Sequence, residues 1–206
     1  MGEVILYASI ASRSIAAYWM LEELGVPYRV VDVDLKEGKH KRPEYLAINP
    51  SGRVPAIAVD SVIVTERPAI CALLADRFGY GTLAPKIDAP ERGPYLKWLV
   101  YSTAVIDPAI AVYVSRPAQP LREMTWGSAD HVVDLLAEEL AGKMWLLGEW
   151  FTAADVAIGA VIVMALYNNQ LPENATLRAY NDRIMARPAF QRAADLTWPP
   201  QLFPRA

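Results

Sequence analysis

The chain has 206 residues, of which 53% are hydrophobic, and a formal net charge of -3 at pH 7. This length accommodates one large domain or two small ones, and the scattered lysines and arginines form no basic stripe, which argues against nucleic acid as a partner. The single cysteine, Cys71, excludes an internal disulfide framework and a four-cysteine zinc site. The two histidines, His40 and His131, lack ligand spacing, so we expect no metal site.

The sequence gives no sign of secretion or of a membrane. The N-terminal residues lack the basic segment of a signal peptide. The most apolar run, Val156 to Leu166, is shorter than the roughly 20 residues that cross a bilayer. We therefore expect a cytoplasmic protein without a membrane partner.

The first 79 residues alternate strand and helix patterns, which predicts a βαβ unit followed by a ββα unit. The expected elements are a strand at Val4 to Ala8, a helix at Ser14 to Leu24, a strand at Tyr28 to Val33, a short helix at Pro43 to Ala47, strands at Ala56 to Val59 and Val62 to Thr65, and a helix that includes Ile70 to Phe78. This order resembles thioredoxin.

The segment from Gly79 to Pro90 contains two glycines and two prolines without a sustained apolar period, which predicts a linker over residues 80–90. Everything from residue 91 to residue 206 has helical patterns. The expected helices are Glu91 to Tyr113, Leu121 to Leu140, Ala153 to Asn168, Ala175 to Ala186 and Ala189 to Asp195. The sequence therefore predicts an α+β domain over residues 1–79, with a mixed sheet, and an all-α domain over residues 91–206.

Two motifs stand close together in the first domain. Asn49-Pro50-Ser51-Gly52-Arg53-Val54-Pro55-Ala56-Ile57 places a turn and an X-Pro bond before a strand, and Glu66-Arg67-Pro68-Ala69-Ile70 begins the next helix. Pro68 suits the first position of this helix, and Arg67 before it is expected in the cap position. Together with the two-domain pattern, these motifs resemble the cytosolic glutathione transferases of bacterial type. The resemblance implies a cis Val54-Pro55 bond that exposes the backbone of Val54 to the peptide backbone of glutathione.

The resemblance also implies the contacts of glutathione. Glu66 would accept from the γ-glutamyl ammonium, and Arg67, where the family has serine, would bind its carboxylate. His40 and Lys41 would reach the glycyl carboxylate, a task that suits cations. Arg53, Val54 and Pro55 match the positions at the cis-proline, with Arg53 equally suited to facing solvent.

The group that activates the thiol is expected between the first strand and the first helix. Lowering a thiol pKa by two units takes about 2.7 kcal/mol, which one hydroxyl hydrogen bond and a helix N-terminus can supply. Ala11 stands where many serine-type members keep that hydroxyl, so Ser12 is the first candidate and Ser9 the second. Ser14 is better suited to capping the helix, and Tyr7 to lining the pocket.

A second pair of residues is interpreted as structural. Thr152 and Asp155 have the spacing of a capping box, and they resemble the folding motif in the sixth helix of the family. Replacing Asp155 with Ala is expected to cost about 0.5 to 2 kcal/mol. Cys71 is expected to be a buried structural thiol, and no cysteine stands in the activating loop, which argues against members that form mixed disulfides.

An apolar electrophile would bind between the domains. The candidates for its pocket are Ile10, Trp98, Tyr101, Val105 and Tyr113, with the aromatic ones equally suited to the core or a dimer interface. The resemblance implies a homodimeric glutathione S-transferase that uses glutathione as co-substrate in detoxification. Two alternatives stay open: a glutathione-dependent peroxidase or disulfide reductase, and a non-catalytic transferase-like binding protein.

Overall fold

The computed structural model describes residues 2–115 and 127–198. These residues form two compact units. One comprises the described residues up to Gly79 together with those from Arg187 onward, and the other comprises the described residues from Tyr80 to Ala186. The expected helix over Leu121 to Leu140 begins in a part of the chain outside the described residues.

The first unit contains a four-stranded mixed sheet. Its strands are β1 (Val4–Ala8), β2 (Arg29–Asp32), β3 (Ala56–Val59) and β4 (Val62–Thr65), and its helices are α1 (Ile15–Leu24), α2 (Pro43–Leu46), α3 (Arg67–Phe78) and α9 (Pro188–Thr197). The strand order is β2-β1-β3-β4, with β1 parallel to β2 and antiparallel to β3, and with β3 antiparallel to β4. This confirms the expected thioredoxin-like domain.

The core of this unit lies between the sheet and α1. Alternate residues of β1, Val4, Leu6 and Ala8, are buried, as expected for a strand with one face on the core. All seven residues from Ile15 to Leu21 in α1 are buried as well. The helix ends at Gly25, whose φ of 62° suits glycine and whose N–H bonds the Leu21 carbonyl.

Helix α9 lies in the first unit and not with the other C-terminal helices. The sequence-based division grouped residues 187–198 with the helical domain because their pattern is helical, but helical periodicity does not say which core a helix joins. In the structure α9 packs on α1, and the Arg187 guanidinium makes two bonds to the Glu23 carboxylate at 2.6 and 2.8 Å. At the end of α9 the Thr197 carbonyl accepts from the Ala11 N–H at 2.8 Å.

The second unit is helical throughout its regular elements, as expected. Its helices are α4 (Arg92–Tyr101), α5 (Asp107–Ser115), α6 (Ala129–Leu140), α7 (Ala153–Tyr167) and α8 (Ala175–Met185). A π-helical segment at Ser102–Ile106 joins α4 to α5, so the one helix expected from Glu91 to Tyr113 changes its hydrogen-bond pattern midway. Helix α6 begins after Ser128, whose hydroxyl accepts from the His131 N–H.

The capping box of Thr152 and Asp155 forms at the start of α7, where the sequence places it. The Thr152 N–H donates to Asp155 Oδ2 at 2.9 Å. Asp155 Oδ1 also accepts from the Leu146 N–H at 2.9 Å and from the Tyr180 hydroxyl at 3.0 Å. Asp155 therefore joins α7 to α8 and to the loop before α7, a wider role than capping one helix.

One stretch of the described residues, Arg92–Ser115, is long and apolar enough to cross a membrane by length and composition alone. A third of its most apolar window is buried inside the protein.

Candidate active site

The loop before β3 holds the backbone at Arg53 with two side chains. The Val54–Pro55 bond is cis, as the resemblance implied. The Arg53 carbonyl accepts from the Tyr45 hydroxyl at 2.6 Å and from Asn49 Nδ2 at 2.8 Å. We call the segment from Asn49 to Pro55, with Tyr45, the clamp loop.

Asn49 organises the turn that leads into the clamp loop. Its side chain is only 3% exposed, and its Oδ1 accepts from the Ser51 N–H at 3.1 Å and from the Ser51 hydroxyl at 2.7 Å. Its own carbonyl accepts from the Gly52 N–H at 2.9 Å. Sequence reasoning found the turn but missed the roles of Asn49 and Tyr45; the signal for Asn49 was its place at the head of the Asn-Pro-Ser-Gly turn.

Gly52 brings the His40 and Lys41 segment against the clamp loop. Its φ is 58°, and a Cβ at this position would lie 2.8 Å from the His40 carbonyl and 2.9 Å from Lys41 Nζ. Only glycine fits this close approach. The structure therefore brings together two of the expected glutathione contacts, His40 and Lys41, with Arg53 and Val54.

One nitrogen of the His40 ring has no hydrogen-bond partner among the described residues. His40 lies in a 3₁₀ turn, Lys39–Lys41, and its Nδ1 is buried with no hydrogen bond to any described residue. A buried polar atom without a partner is costly unless a ligand supplies one. This geometry suits a ligand that brings a hydrogen-bonding group to the 3₁₀ turn.

The start of α3 differs from the sequence-based expectation. That expectation placed the cap at Arg67 and the first helical turn at Pro68. In the structure Glu66 is the cap, with φ of 67° and ψ of 124°, and Arg67 is already helical. The reason lies in the backbone of Glu66. A non-glycine residue with positive φ is strained and interrupts the extended conformation of the strand, so the helix starts one residue earlier than expected.

Glu66 and Arg67 differ in exposure. Glu66 is exposed, and its carbonyl accepts from the Ile70 N–H at 2.9 Å. Arg67 is only 7% exposed, and its charge acts on the buried Cys71. Both side chains were expected to face a ligand. The exposed carboxylate of Glu66 is accessible to one, whereas most of Arg67 is buried.

Cys71 is buried as expected. Desolvation raises the pKa of its thiol to about 12, and the nearby Arg67 charge only partly opposes this. The thiol stays protonated at physiological pH and is a poor nucleophile.

The serines of the activating loop bond to one another. We call this network, formed by Ser9, Ser12 and Ser14, the serine network. The Ser12 hydroxyl donates to the Ser9 carbonyl at 2.6 Å and lies 2.9 Å from the Ser14 hydroxyl. Ser12 Oγ also accepts from the Ser14 N–H at 3.1 Å, and Ser14 Oγ accepts from the Ser9 N–H at 3.3 Å.

The network affects the role expected of Ser12. A hydroxyl has one hydrogen to donate, and in this arrangement the hydrogen of Ser12 is held by the Ser9 carbonyl. Ser12 is 9% exposed. It can therefore donate to a thiolate only by giving up an internal bond.

Ser14 occupies the cap position of α1, but its side chain makes no capping bond. The expected capping contact is wrong because Ser14 has helical backbone angles and its hydroxyl serves the network within the loop. Ala11, which precedes Ser12 in the loop, is exposed and has a φ of 49°. A hydroxyl at Ala11 would stand in solvent, outside the network.

Tyr7 lies on the other face of the sheet from Leu6 and Ala8. Its ring centroid is 6.3 Å from that of Tyr45 in α2. The structure therefore places Tyr7 beside α2, the helix that contains Tyr45.

The candidates for the electrophile pocket divide by exposure. Ile10 is 61% exposed in the loop before α1. In the second unit Trp98 is only 1% exposed and packs edge-on against Tyr101 with ring centroids 5.4 Å apart, so Trp98 is a core residue. Tyr101, Val105 and Tyr113 are half-buried. Among the residues that the structure describes, no group of three or more His, Cys, Asp and Glu side chains could hold a metal ion.

Comparisons with known proteins agree with this geometry. The family described as "Glutathione S-transferase, N-terminal domain" matches residues 13–77. Glutathione S-transferase F10 of Arabidopsis thaliana is 30% identical over 74% of this chain and 76% of its own length. A probable glutathione S-transferase of Oryza sativa subsp. japonica, GSTF2, is 27% identical over 97% of this chain and 100% of its own.

A solved structure extends the likeness to the whole fold. The theta class glutathione S-transferase of Xanthomonas axonopodis pv. citri, solved with glutathione bound, matches 94% of this chain and 97% of its own with a TM-score of 0.74 and 27% identity. The sequence and fold relationships together show that this chain belongs to the glutathione S-transferase family.

Proposed function

We propose that this protein binds glutathione, stabilises its thiolate and transfers it to an apolar electrophile. The clamp loop carries the proposal. Two side chains fix the Arg53 carbonyl next to the cis Val54–Pro55 bond. A backbone held in this way can pair with another peptide backbone, and the solved relative from Xanthomonas carries glutathione.

The two ends of glutathione would bind on either side of the clamp loop. For the glycyl carboxylate, His40 and Lys41 lie against Gly52, and the buried Nδ1 of His40 lacks a partner among the described residues. For the γ-glutamyl end, the exposed carboxylate of Glu66 would accept from the ammonium. The backbone amides of the first turn of α3, a 12-residue helix, would take the carboxylate, with the Arg67 charge behind them.

Thiol activation is expected to be modest. A hydroxyl hydrogen bond to a thiolate contributes about 1.5 to 3 kcal/mol, but Ser12 would lose a neutral bond of about 0.5 to 1.5 kcal/mol to Ser9. The net gain is about 1 kcal/mol. With a helix N-terminus adding about 0.3 to 1 kcal/mol, the thiol pKa should fall by about one unit, and not by the two that a free hydroxyl would give.

Titration of bound glutathione by ultraviolet thiolate absorbance tests the proposal. We expect micromolar to millimolar binding and a thiol pKa about one unit below that of free glutathione. Binding with an unshifted pKa would favour a binding protein without catalysis, and no binding would contradict the proposal. Parallel assays with an aryl halide and a small disulfide separate transfer from reduction.

Three variants test the role of Ser12. Ser12→Ala should raise the pKa of the bound thiol and leave glutathione affinity nearly unchanged. Ala11→Ser should lower this pKa further, because the new hydroxyl is exposed and free to donate. Ser128→Ala is the matched control, since it removes a serine hydroxyl from the cap of α6 and should leave the thiol unchanged. An unchanged pKa of the bound thiol in Ser12→Ala would indicate that Ser9 or the helix amides stabilise the thiolate instead.

The electrophile contacts and the assembly form the remaining part of the proposal. Exposed Ile10 and half-buried Tyr101, Val105 and Tyr113 stay candidates for the electrophile, whereas Trp98 serves the core. We also propose a cytoplasmic homodimer. Exposed apolar side chains on β4 and on α4, Val62 and Val100 among them, support self-association. Sedimentation equilibrium tests it, and a monomer at micromolar concentration would contradict it.

A further inference from the structure

A cavity of about 280 Å³ lies between α2 and strands β1 and β2 in the first unit. Its apolar wall is made of Tyr7, Val31, Val33, Tyr45 and Ile48. Drug-sized ligands take about 300 to 1,000 Å³, and an apolar cavity near 150 Å³ takes a benzene ring. The cavity therefore suits a single aromatic ring with a short side chain.

Charged side chains of both signs also line the cavity. Lys39 and Asp32 are two of them, and Lys39 Nζ is 3.8 Å from the Asp32 carboxylate and 3.3 Å from that of Glu37. Arg42 and Glu44 also line the cavity. Both are exposed, and neither side chain forms an ion pair or hydrogen bond with another residue of the described ranges. One cation and one anion, two residues apart, are therefore available to a ligand.

We propose that this cavity is a second binding site, for a free aromatic amino acid, linked to the clamp loop through Tyr45. An α-amino acid carries a carboxylate and an ammonium on one carbon. Arg42 offers a planar donor pair to the carboxylate, and Glu44 accepts from the ammonium. The aromatic side chain packs against the apolar wall that includes Tyr7 and Tyr45, where ring contacts add to burial.

Tyr45 connects the cavity to the clamp loop. Its ring lines the cavity, while its hydroxyl donates to the Arg53 carbonyl at 2.6 Å. A ligand packed against the ring holds Tyr45 in the position that makes this bond. Such a ligand favours the ordered clamp loop and should therefore tighten glutathione binding, and glutathione should tighten amino acid binding by the same factor. Only this linkage rests on the proposed function.

Calorimetric titration of L-phenylalanine into the glutathione-free protein tests the site. A compact ligand of this size in a partly open cavity should bind with a Kd of about 0.1 to 1 mM. Phenethylamine lacks the carboxylate, 3-phenylpropionate lacks the ammonium, and both should bind more weakly. The absence of saturable phenylalanine binding at ten times the expected Kd would overturn the site.

Charge variants locate the ligand. Arg42→Gln should weaken phenylalanine and phenylpropionate by about three- to fivefold, the scale of a surface charge pair, and leave phenethylamine unchanged. Glu44→Gln should weaken phenylalanine and phenethylamine and leave phenylpropionate unchanged. Lys36→Gln, an exposed charge change outside the cavity, is the control and should change none of them. Equal responses of all three probes to both variants would overturn the assignment of the charges.

A variant that fills the cavity with a larger side chain tests where the ligand binds. Val31→Phe places a ring in the wall and should weaken all three probes at least tenfold, with folding checked by circular dichroism. If this variant does not fold, the variants of the exposed Arg42 and Glu44 still test whether the ligand binds in this cavity. Binding of all three probes unchanged in a folded Val31→Phe protein would overturn the location.

The linkage is measured as the glutathione Kd with and without saturating phenylalanine. We expect a two- to fivefold tightening in the parent protein and none in Tyr45→Phe, which keeps the ring and loses the hydroxyl. If phenylalanine still tightens glutathione binding in Tyr45→Phe, the bond from Tyr45 to the Arg53 carbonyl does not couple the two sites. A protein that binds phenylalanine but no glutathione would contradict the proposed function and the linkage but not the second site.

Discussion

Two buried polar clusters, one in each unit, are built in opposite ways. The Asp155 cluster has one carboxylate that accepts from three separate segments: the Thr152 cap, the loop at Leu146 and helix α8 at Tyr180. The serine network consists of the Ser12 and Ser14 hydroxyls and the Ser9 backbone, and among the described residues its bonds stay within residues 9–14. The first cluster joins distant parts of the chain, and the second joins a single turn.

This difference suggests that the Asp155 cluster contributes mainly to stability, whereas the serine network is available for binding and chemistry. Donors fixed in several elements hold Asp155 in one position, so its bonds contribute to the folding of the whole second unit. Bonds within six residues close a short loop and contribute little to global stability. They can also be exchanged for bonds to a ligand at low cost. The predictions below test this distinction, beginning with the largest effect.

Replacing Asp155 with Ala should lower the free energy of unfolding by about 3 kcal/mol or more, because each buried donor left unpaired costs about 1 to 3 kcal/mol. The sequence alone predicted about 0.5 to 2 kcal/mol for the loss of a cap; the larger value reflects the added bonds from Leu146 and Tyr180. Denaturant titration measures it, with Asp134→Ala on the exposed face of α6 as control. Equal stability losses in the two variants would contradict the linking role.

The contribution of Asp155 should also depend on pH. Burial raises the pKa of its carboxyl from 3.8 to about 6, although its hydrogen-bond donors oppose the shift. The folded state therefore holds the proton more tightly than the unfolded state. The contribution is largest below pH 4 and falls as pH rises through about 6, by about 3 kcal/mol in total.

Comparison of the parent protein with Asp155→Asn isolates this effect, because Asn does not titrate. The difference in unfolding free energy between the two proteins should change between pH 4 and pH 7. A difference that stays constant over this range would show that the pKa is not raised. Parent and Ser12→Ala should differ by a constant amount, since the serine network has no titrating group.

Asn49→Ala tests the bonds of the clamp loop, which are more local than those of Asp155. Asn49 bonds Arg53 and Ser51 within the clamp loop. Its loss should cost about 1 to 3 kcal/mol of stability and weaken glutathione binding about tenfold, because Tyr45 alone would hold the Arg53 carbonyl. Asn168→Ala, which removes an exposed bond to Met164, is the control. Unchanged glutathione affinity would show that the clamp loop is held in another way.

Ser12→Ala should have the smallest effect on stability, about 1 kcal/mol. It removes neutral bonds that begin and end in the same short loop, so the groups left without a partner all lie in one segment. Thermal unfolding measures it beside Asp155→Ala. A loss as large as that of Asp155→Ala would remove the distinction between the two clusters.

The sequence predicted the elements that depend on local pattern. Strands β1, β3 and β4 have the expected bounds because alternation and flanking turn residues act within a few positions. The capping box at Thr152 was predicted for the same reason. The family motif around Val54 and Pro55 predicted the cis bond, which local propensity alone does not indicate.

Features that depend on distant contacts were not predictable in this way. The Tyr45 hydroxyl meets Arg53 eight residues away, and no periodicity marks that pairing. The bonds among Ser9, Ser12 and Ser14 depend on side-chain rotamers, so the sequence ranked the serines without knowing that Ser12 already has a partner. The position of α9 depends on which core its apolar face joins, and only packing on α1 decides this.

The bond from the Ala11 N–H to the Thr197 carbonyl has a consequence for biosynthesis. Ribosomes synthesise a chain from its N-terminus, so the loop that precedes α1 is made well before α9. The turn at Ala11 acquires its partner only after Thr197 has left the ribosome. Nascent chains that still lack α9 should therefore expose an unfinished activating loop.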